Sequence, residues 1–206
     1  MTYTDGSTSQ LNIEGQLNHD SIPNIGNLTS VEIGSAVTSI GDDAFSYCRG
    51  LTSVTMPDSV TSIGDGAFLN CFGLTSVTIG NGVTSIGNYA FCKCLNLANL
   101  TIGNNVTSIG EHAFQFDEKL TTLVIPDSVT SIGYVAFGAC SGLTSMTIGS
   151  GATSIGAAAL GGCPNLMDVT FSGKTKATVQ GMSDYSWGLP SGCVIHCTDG
   201  DITVGV

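Results

Sequence analysis

Eight cysteines, three histidines and sixteen acidic residues are the side chains of this 206-residue sequence best suited to bind a metal, form disulfides or attack a substrate. Five of the cysteines, Cys48, Cys71, Cys94, Cys140 and Cys163, recur at steps of 23 residues or twice that. A structural zinc site needs ligands in pairs, about two to four residues apart and four in all. Cys92 and Cys94 are too close for that pattern, and Cys193, His196 and Cys197 have no second pair. The residues therefore point to no metal and no cofactor. In stacked copies the recurring cysteines lie within disulfide reach, but their Cβ vectors run parallel instead of converging. A column of buried thiols packing as small hydrophobes is the simpler reading. Asp117 interrupts that column, and the expectation is that Phe116 turns inward in its place. A Cys193–Cys197 bridge is geometrically hard if CVIHC is extended.

Catalysis has no better foundation. His19, His112 and His196 fall in unrelated segments, and the many serines and threonines recur because the period demands them. No glycine loop is arranged to cradle a phosphate. Three Asn-x-Thr sequons begin at Asn27, Asn99 and Asn105, but the repeat imposes the threonine, so they weigh little as glycosylation signals. The reading is that the protein is not an enzyme.

What positions all of these residues is a repeat. A 23-residue unit opens at Leu28, Leu51, Leu74, Leu97, Leu120, Leu143 and Leu166 without insertion or deletion, as in LTSVTMPDSVTSIGDGAFLNCFG at 51–73. A strict period in the range of about 20–50 residues marks a solenoid, whose units bury their apolar faces only against one another. Within the unit, SVTM or SVTI reads as a short strand with alternate residues inward. A turn follows, such as Pro57-Asp58-Ser59 or Gly80-Asn81-Gly82. VTSIG comes next, with Val60 and Ile63 inward, and the aromatic of DGAFLNC then sits on a short helical or 3₁₀ turn. Copies in register place like residues about 4.8 Å apart, so seven coils make a rod on the order of 34 Å.

The domain organisation is an N-terminal cap at 1–27, repeats at 28–165, and a degenerate last repeat with C-terminal cap at 166–206, all one structural domain. The first cap reads as a hairpin turning at Asp5-Gly6 between TYT and TSQLNI, and the last is anchored by Trp187. Charged residues are only 10% of the chain, and the formal charge is −11 with five Lys+Arg. That composition excludes nucleic acid, which needs clustered cations, and an anionic membrane surface. No apolar run approaches the ~20 residues of a membrane span. MTYTDGSTSQ lacks a basic segment followed by an apolar one, so the reading is a cytoplasmic protein or an excised part of a longer secreted chain.

The pattern LTSVxIxxxVTSIGxxAFxxC resembles the BspA-type leucine-rich repeat, also called the Treponema pallidum type, over 28–165 with a seventh copy at LMDVTF. The resemblance implies an α/β leucine-rich-repeat solenoid of right-handed coils, with a parallel sheet on its concave side. It also implies a surface or secreted protein used in adhesion, extracellular by kinship, with no catalytic residues to carry over. The missing leader and Asp117 are departures from it.

Comparing copies shows where a partner would bind. The strand face is monotonous, with Thr55, Thr78, Thr101, Thr147 and Thr170 in one outward column. Variation gathers around the helical turn, where aromatics stand beside polar groups. Tyr47, Phe72, Tyr89, His112 and Tyr134 are the candidate contacts, since tyrosine supplies contact area at low entropy cost. The concave Thr/Ser sheet is the competing site. Two functions fit: a non-catalytic module binding a protein or glycan, or a spacer with no ligand of its own.

Overall fold

The computed structural model describes residues 1–7, 14–22, 25–182 and 187–205. Two parallel ladders run the length of the repeats. The back ladder has seven strands, Gly15–Leu17, Val37–Ile40, Ser62–Ile63, Ser85–Ile86, Ser108–Ile109, Ser131–Ile132 and Ser154–Ile155, each paired with its sequence neighbour. The VTSI sequence builds it: Val and Ile point into the core while Thr and Ser point out. Each outward threonine then fastens itself to the coil before, Thr107 Oγ1 donating to the Thr84 carbonyl at 3.0 Å and Thr130 Oγ1 to that of Thr107 at 3.1 Å.

The front ladder is in pieces. Thr2–Tyr3 pairs antiparallel with Leu28–Ser30; Ser53–Thr55, Ser76–Thr78 and Asn99–Thr101 form a second piece. Thr122–Ile125, Ser145–Ile148, Asp168–Phe171, Val194–Cys197 and Gly200–Thr203 form the third. Both breaks precede a coil whose front strand ends in proline, Pro57 or Pro126. In three other coils that corner is Gly80, Gly103 or Gly149, and a Cβ there would press into the backbone of the preceding coil. Proline carries that Cβ and has no N–H, whereas Gly149 donates to the Ile125 carbonyl at 3.0 Å. A proline-bearing coil stands off at its corner, and the ladder opens ahead of it. The second opening is a groove of about 360 Å³, lined by Leu100, Ile102, Leu123, Val124 and Pro126 among others.

Between the ladders lies one continuous core. The leucines that open the units, from Leu28 to Leu166, are fully buried. Phe45, Phe68, Phe91, Phe114 and Phe137 stack with ring centroids 4.9 to 5.2 Å apart and planes within 9°. Leu160 continues the column, and the buried Trp187 closes it, tilted against Phe171 at 5.3 Å. Five apolar ring layers at the ladder spacing make each coil's interior depend on the next, since a lone ring would leave one face in water.

The turn segments differ from the helical or 3₁₀ turns expected. Among the described residues the α-helix Lys176–Gln180 and the 3₁₀ segments His19–Ser21 and Ile25–Asn27 all lie outside the repeats proper. Each coil instead holds two left-handed residues, with φ of 50° to 73°. Asp43, Gly66, Tyr89, His112, Val135 and Ala158 form one column; Tyr47, Asn70, Lys93, Phe116, Ala139 and Gly162 form the other. A helix sends successive N–H groups back along its own chain. Here alternate donors cross to the next coil, Tyr89 to Glu111 at 2.8 Å, Phe91 to Ala113 at 2.7 Å and Lys93 to Gln115 at 2.7 Å. Those bonds hold side-chain-bearing residues in a conformation that costs about 1–2 kcal/mol apiece.

The N-terminal hairpin is only partly described. Gly6 N–H does close a turn on the Tyr3 carbonyl at 3.0 Å, but the strand pairs with Leu28–Ser30. The expected second arm, residues 8–13, lies outside the described residues. A second expectation is corrected at Asp117. Phe116 sits at a left-handed position that turns its ring outward, half-buried, beneath Lys93 Nζ at 5.8 Å. Asp117 itself takes the cysteine slot and is 0% exposed. Side-chain direction is set by position in the coil, so the larger apolar residue one place earlier cannot exchange with it.

Candidate interaction surface

The five candidate contacts do not form one site. Tyr89 and His112 occupy the first left-handed position in successive coils, and their rings stack at 4.7 Å with planes 6° apart. Tyr134 meets His112 edge-on at 5.3 Å and 81°. His112 Nδ1 is 2.8 Å from Gln115 Oε1, which holds the ring in line. Tyr89 is 44% exposed and Tyr134 47%. These three make a row spanning two coil steps, about 10 Å at the ladder spacing. Because the stack runs along the solenoid, Tyr89 and His112 offer ring edges and polar atoms to the outside, with their facing surfaces covered.

Tyr47 and Phe72 lie elsewhere on the edge. Tyr47, 54% exposed, belongs to the second left-handed column, two coils before Lys93. Phe72 is half-buried with the Arg49 guanidinium over its ring at 5.3 Å. Lys93 over Phe116 repeats that contact, so two of the chain's five cations are engaged with rings of the following coil. Sequence reading singled out Phe72 but not its pairing with Arg49.

The row is flanked by a polar ladder. Asp42 Oδ1 accepts the Asp65 N–H at 2.9 Å, Asp65 Oδ1 that of Asn88 at 2.6 Å, and Asn88 Oδ1 that of Glu111 at 2.8 Å. Tyr134 stands next in that column and ends it with an aromatic. A matching ladder at the other corner has Asp127 Oδ1 accepting from Ser150 N–H at 2.7 Å, which holds the Asp127 carboxyl below its usual range. These short side chains are structural caps on the next coil.

The competing front face is less uniform than expected. Val124 interrupts the outward threonine column and is 66% exposed, beside the groove at Pro126. Reading the repeat position through every coil would have found it. At the C-terminal end His196 pairs with Thr170 across the ladder, and its ring lies between Asp168 at 3.3 Å and Asp201 at 3.0 Å. Hydrogen bonds to these carboxylates, Asp168 foremost, raise the His196 pKa above its ordinary value. Both ring nitrogens face carboxylates, which gives an ion-pair clasp across three strands.

The thiols are buried and unbridged except that Cys197 is half-buried. Cys71, Cys94, Cys140 and Cys163 each donate to the phenylalanine carbonyl 26 residues before, at 3.1 to 3.4 Å. Among the described residues no group of three His, Cys, Asp or Glu side chains is placed to hold a metal ion. No described helix is long and apolar enough to cross a membrane. The Asn105 amide donates to the Asn81 carbonyl at 2.8 Å, so that sequon nitrogen serves the fold.

Comparison with known proteins agrees with this architecture. The model of the BspA type leucine rich repeat region matches in six copies over residues 16–133 and 116–185. A leucine-rich repeat protein of T. pallidum is 31% identical, with a TM-score of 0.67 and 68% of each chain covered. A leucine rich cell surface protein from Faecalibacterium prausnitzii A2-165 is 33% identical with a TM-score of 0.51, over 71% of this chain. The match spans 48% of that protein, about half its length. No curated protein matches the chain. With the repeat, the stacked core and the matched copies agreeing, the chain belongs to the BspA-type leucine-rich repeat family.

Proposed function

We propose that this protein is a non-catalytic interaction module, displayed at a bacterial surface or secreted, that binds a protein or glycan through its turn edge. The observation that carries this is the Tyr89–His112–Tyr134 row, half-exposed aromatics stacked in register on a rigid frame. Fixed rings lose little entropy on binding, and their edges, hydroxyls and imidazole suit a mixed polar and apolar partner. Similarity to the leucine rich cell surface protein of F. prausnitzii supports the compartment. Tyr47 and Phe72 extend the edge toward the N-terminus as separate contacts.

The second reading is a spacer whose faces serve solubility alone; the self-satisfied threonine and asparagine ladders favour it. Immobilised matrix proteins, a glycan array and cultured cells separate the two. The triple substitution Tyr89→Ser, His112→Ser, Tyr134→Ser should lower binding at least tenfold, and Val124→Ser should leave it unchanged. Loss through Val124→Ser alone would move the site to the front face. No binding by the unaltered protein to any of the three would favour the spacer.

A further inference from the structure

One interior position does not fit its column. Asp117, in the coil 97–119, fills the slot that a cysteine fills in the coils on either side, and its side chain reaches back to the coil 74–96. Its Oδ1 accepts the Cys94 N–H at 2.9 Å, while Oδ2, fully buried, meets no donor.

A carboxylate there would bury a full charge with one hydrogen bond, a cost of several kcal/mol. A carboxylic acid would not, because Oδ2–H becomes a donor. Four of the five thiols at this position, Cys71, Cys94, Cys140 and Cys163, donate to the phenylalanine carbonyl 26 residues before. For Asp117 that register indicates the Phe91 carbonyl.

We propose that the contact between the coils 74–96 and 97–119 is a built-in joint of the solenoid, closed by a neutral Asp117 acting as a proton donor in the thiol's place and loosened when that proton leaves. Burial pushes the Asp117 carboxyl well above the ordinary carboxylate range, opposed in part by the Cys94 N–H. The titratable groups facing it are the thiols of Cys92 and Cys94 from the preceding coil and Cys140 from the following one. Lys93 sits over the Phe116 ring, and Glu118 and Lys119 are exposed, so no cation compensates.

The direction follows from linkage. An unfolded aspartate releases its proton near pH 3.9, whereas the native chain retains it above that. Between the two values native stability falls as pH rises, by up to a tenfold change in the opening constant per pH unit. Hydrogen exchange by mass spectrometry on the full chain, corrected for intrinsic rates, reads this locally. Between pH 5 and 9 the peptides covering 74–119 should lose protection in the wild type by at least tenfold more than those covering 28–63. Asp117→Cys, which completes the column, and Asp117→Asn, which cannot ionise, should both abolish that excess. Equal pH dependence in the wild type and both variants would overturn the proposal, as would loss spread evenly along the chain.

Discussion

The two ladders of this solenoid are made from the same 23-residue unit and yet differ in continuity. The back ladder pairs without interruption from Gly15–Leu17 to Ser154–Ile155, while the front ladder breaks twice. The strands themselves do not explain this, since SVT and VTSI are equally suited to pairing. The difference lies at the corners. Behind each VTSI the next residue is Gly41, Gly64, Gly87, Gly110, Gly133 or Gly156, packed so closely that a Cβ would meet the preceding coil. In front, the corner is proline in two coils, at Pro57 and Pro126, and glycine at Gly34, Gly80, Gly103 and Gly149. A solenoid is thus as continuous as its tightest corner permits, and one residue per coil decides it.

Four changes would break or sharpen this contrast. The largest effect should come from the core that both ladders share: Phe91→Ala removes a ring from the middle of the stack and should cost about 3–5 kcal/mol in urea unfolding. A back corner comes next. Gly110→Ala forces a Cβ against Gly87 and Asn88 backbone and should cost about 1–3 kcal/mol, with new exchange at Ser108–Ile109. At the front, Pro126→Gly should close the second break, so the amides of Ile102 and Val124 gain protection even if global stability changes little. Smaller still is Thr107→Val, which deletes one hydroxyl rung and should cost roughly 0.5–1.5 kcal/mol.

The front strand Val194–Cys197 adds a dependence on pH. His196 has a raised pKa in the folded chain, so the stability of its clasp with Asp168 and Asp201 is fully present below the unfolded value of about 6.5. It fades as pH rises through the higher folded value. Amide exchange over Val194–Cys197 should quicken across that window, and His196→Gln should flatten the profile.

Much of this was legible from the sequence because the period itself carries the information. The leucine, phenylalanine and cysteine columns and the strand positions follow from stacking alone. Three things did not. The left-handed residues were hidden because tyrosine, lysine, valine and alanine have no local preference for positive φ; the hydrogen bonds to the next coil impose it. Asp117 was read as a break with Phe116 inward, because hydrophobicity was weighed above position, and position wins in a coil. At the candidate surface, Tyr89, His112 and Tyr134 come together while Tyr47 and Phe72 do not. Which variable residues meet depends on columns four places apart in the coil, a distinction that the helical reading erased.

The most direct measurement is residue-resolved amide hydrogen exchange across the coils 97–119 and 120–142 of the unaltered protein at one pH. Back-ladder donors there, Thr107 and Thr130, which bond to Thr84 and Thr107 at 2.8 Å, should exchange slowly. Ile102 and Val124, on the two sides of the front opening, should exchange at least tenfold faster. Equal protection at all four would mean that the front ladder is closed, contradicting the account of how the corners govern this fold.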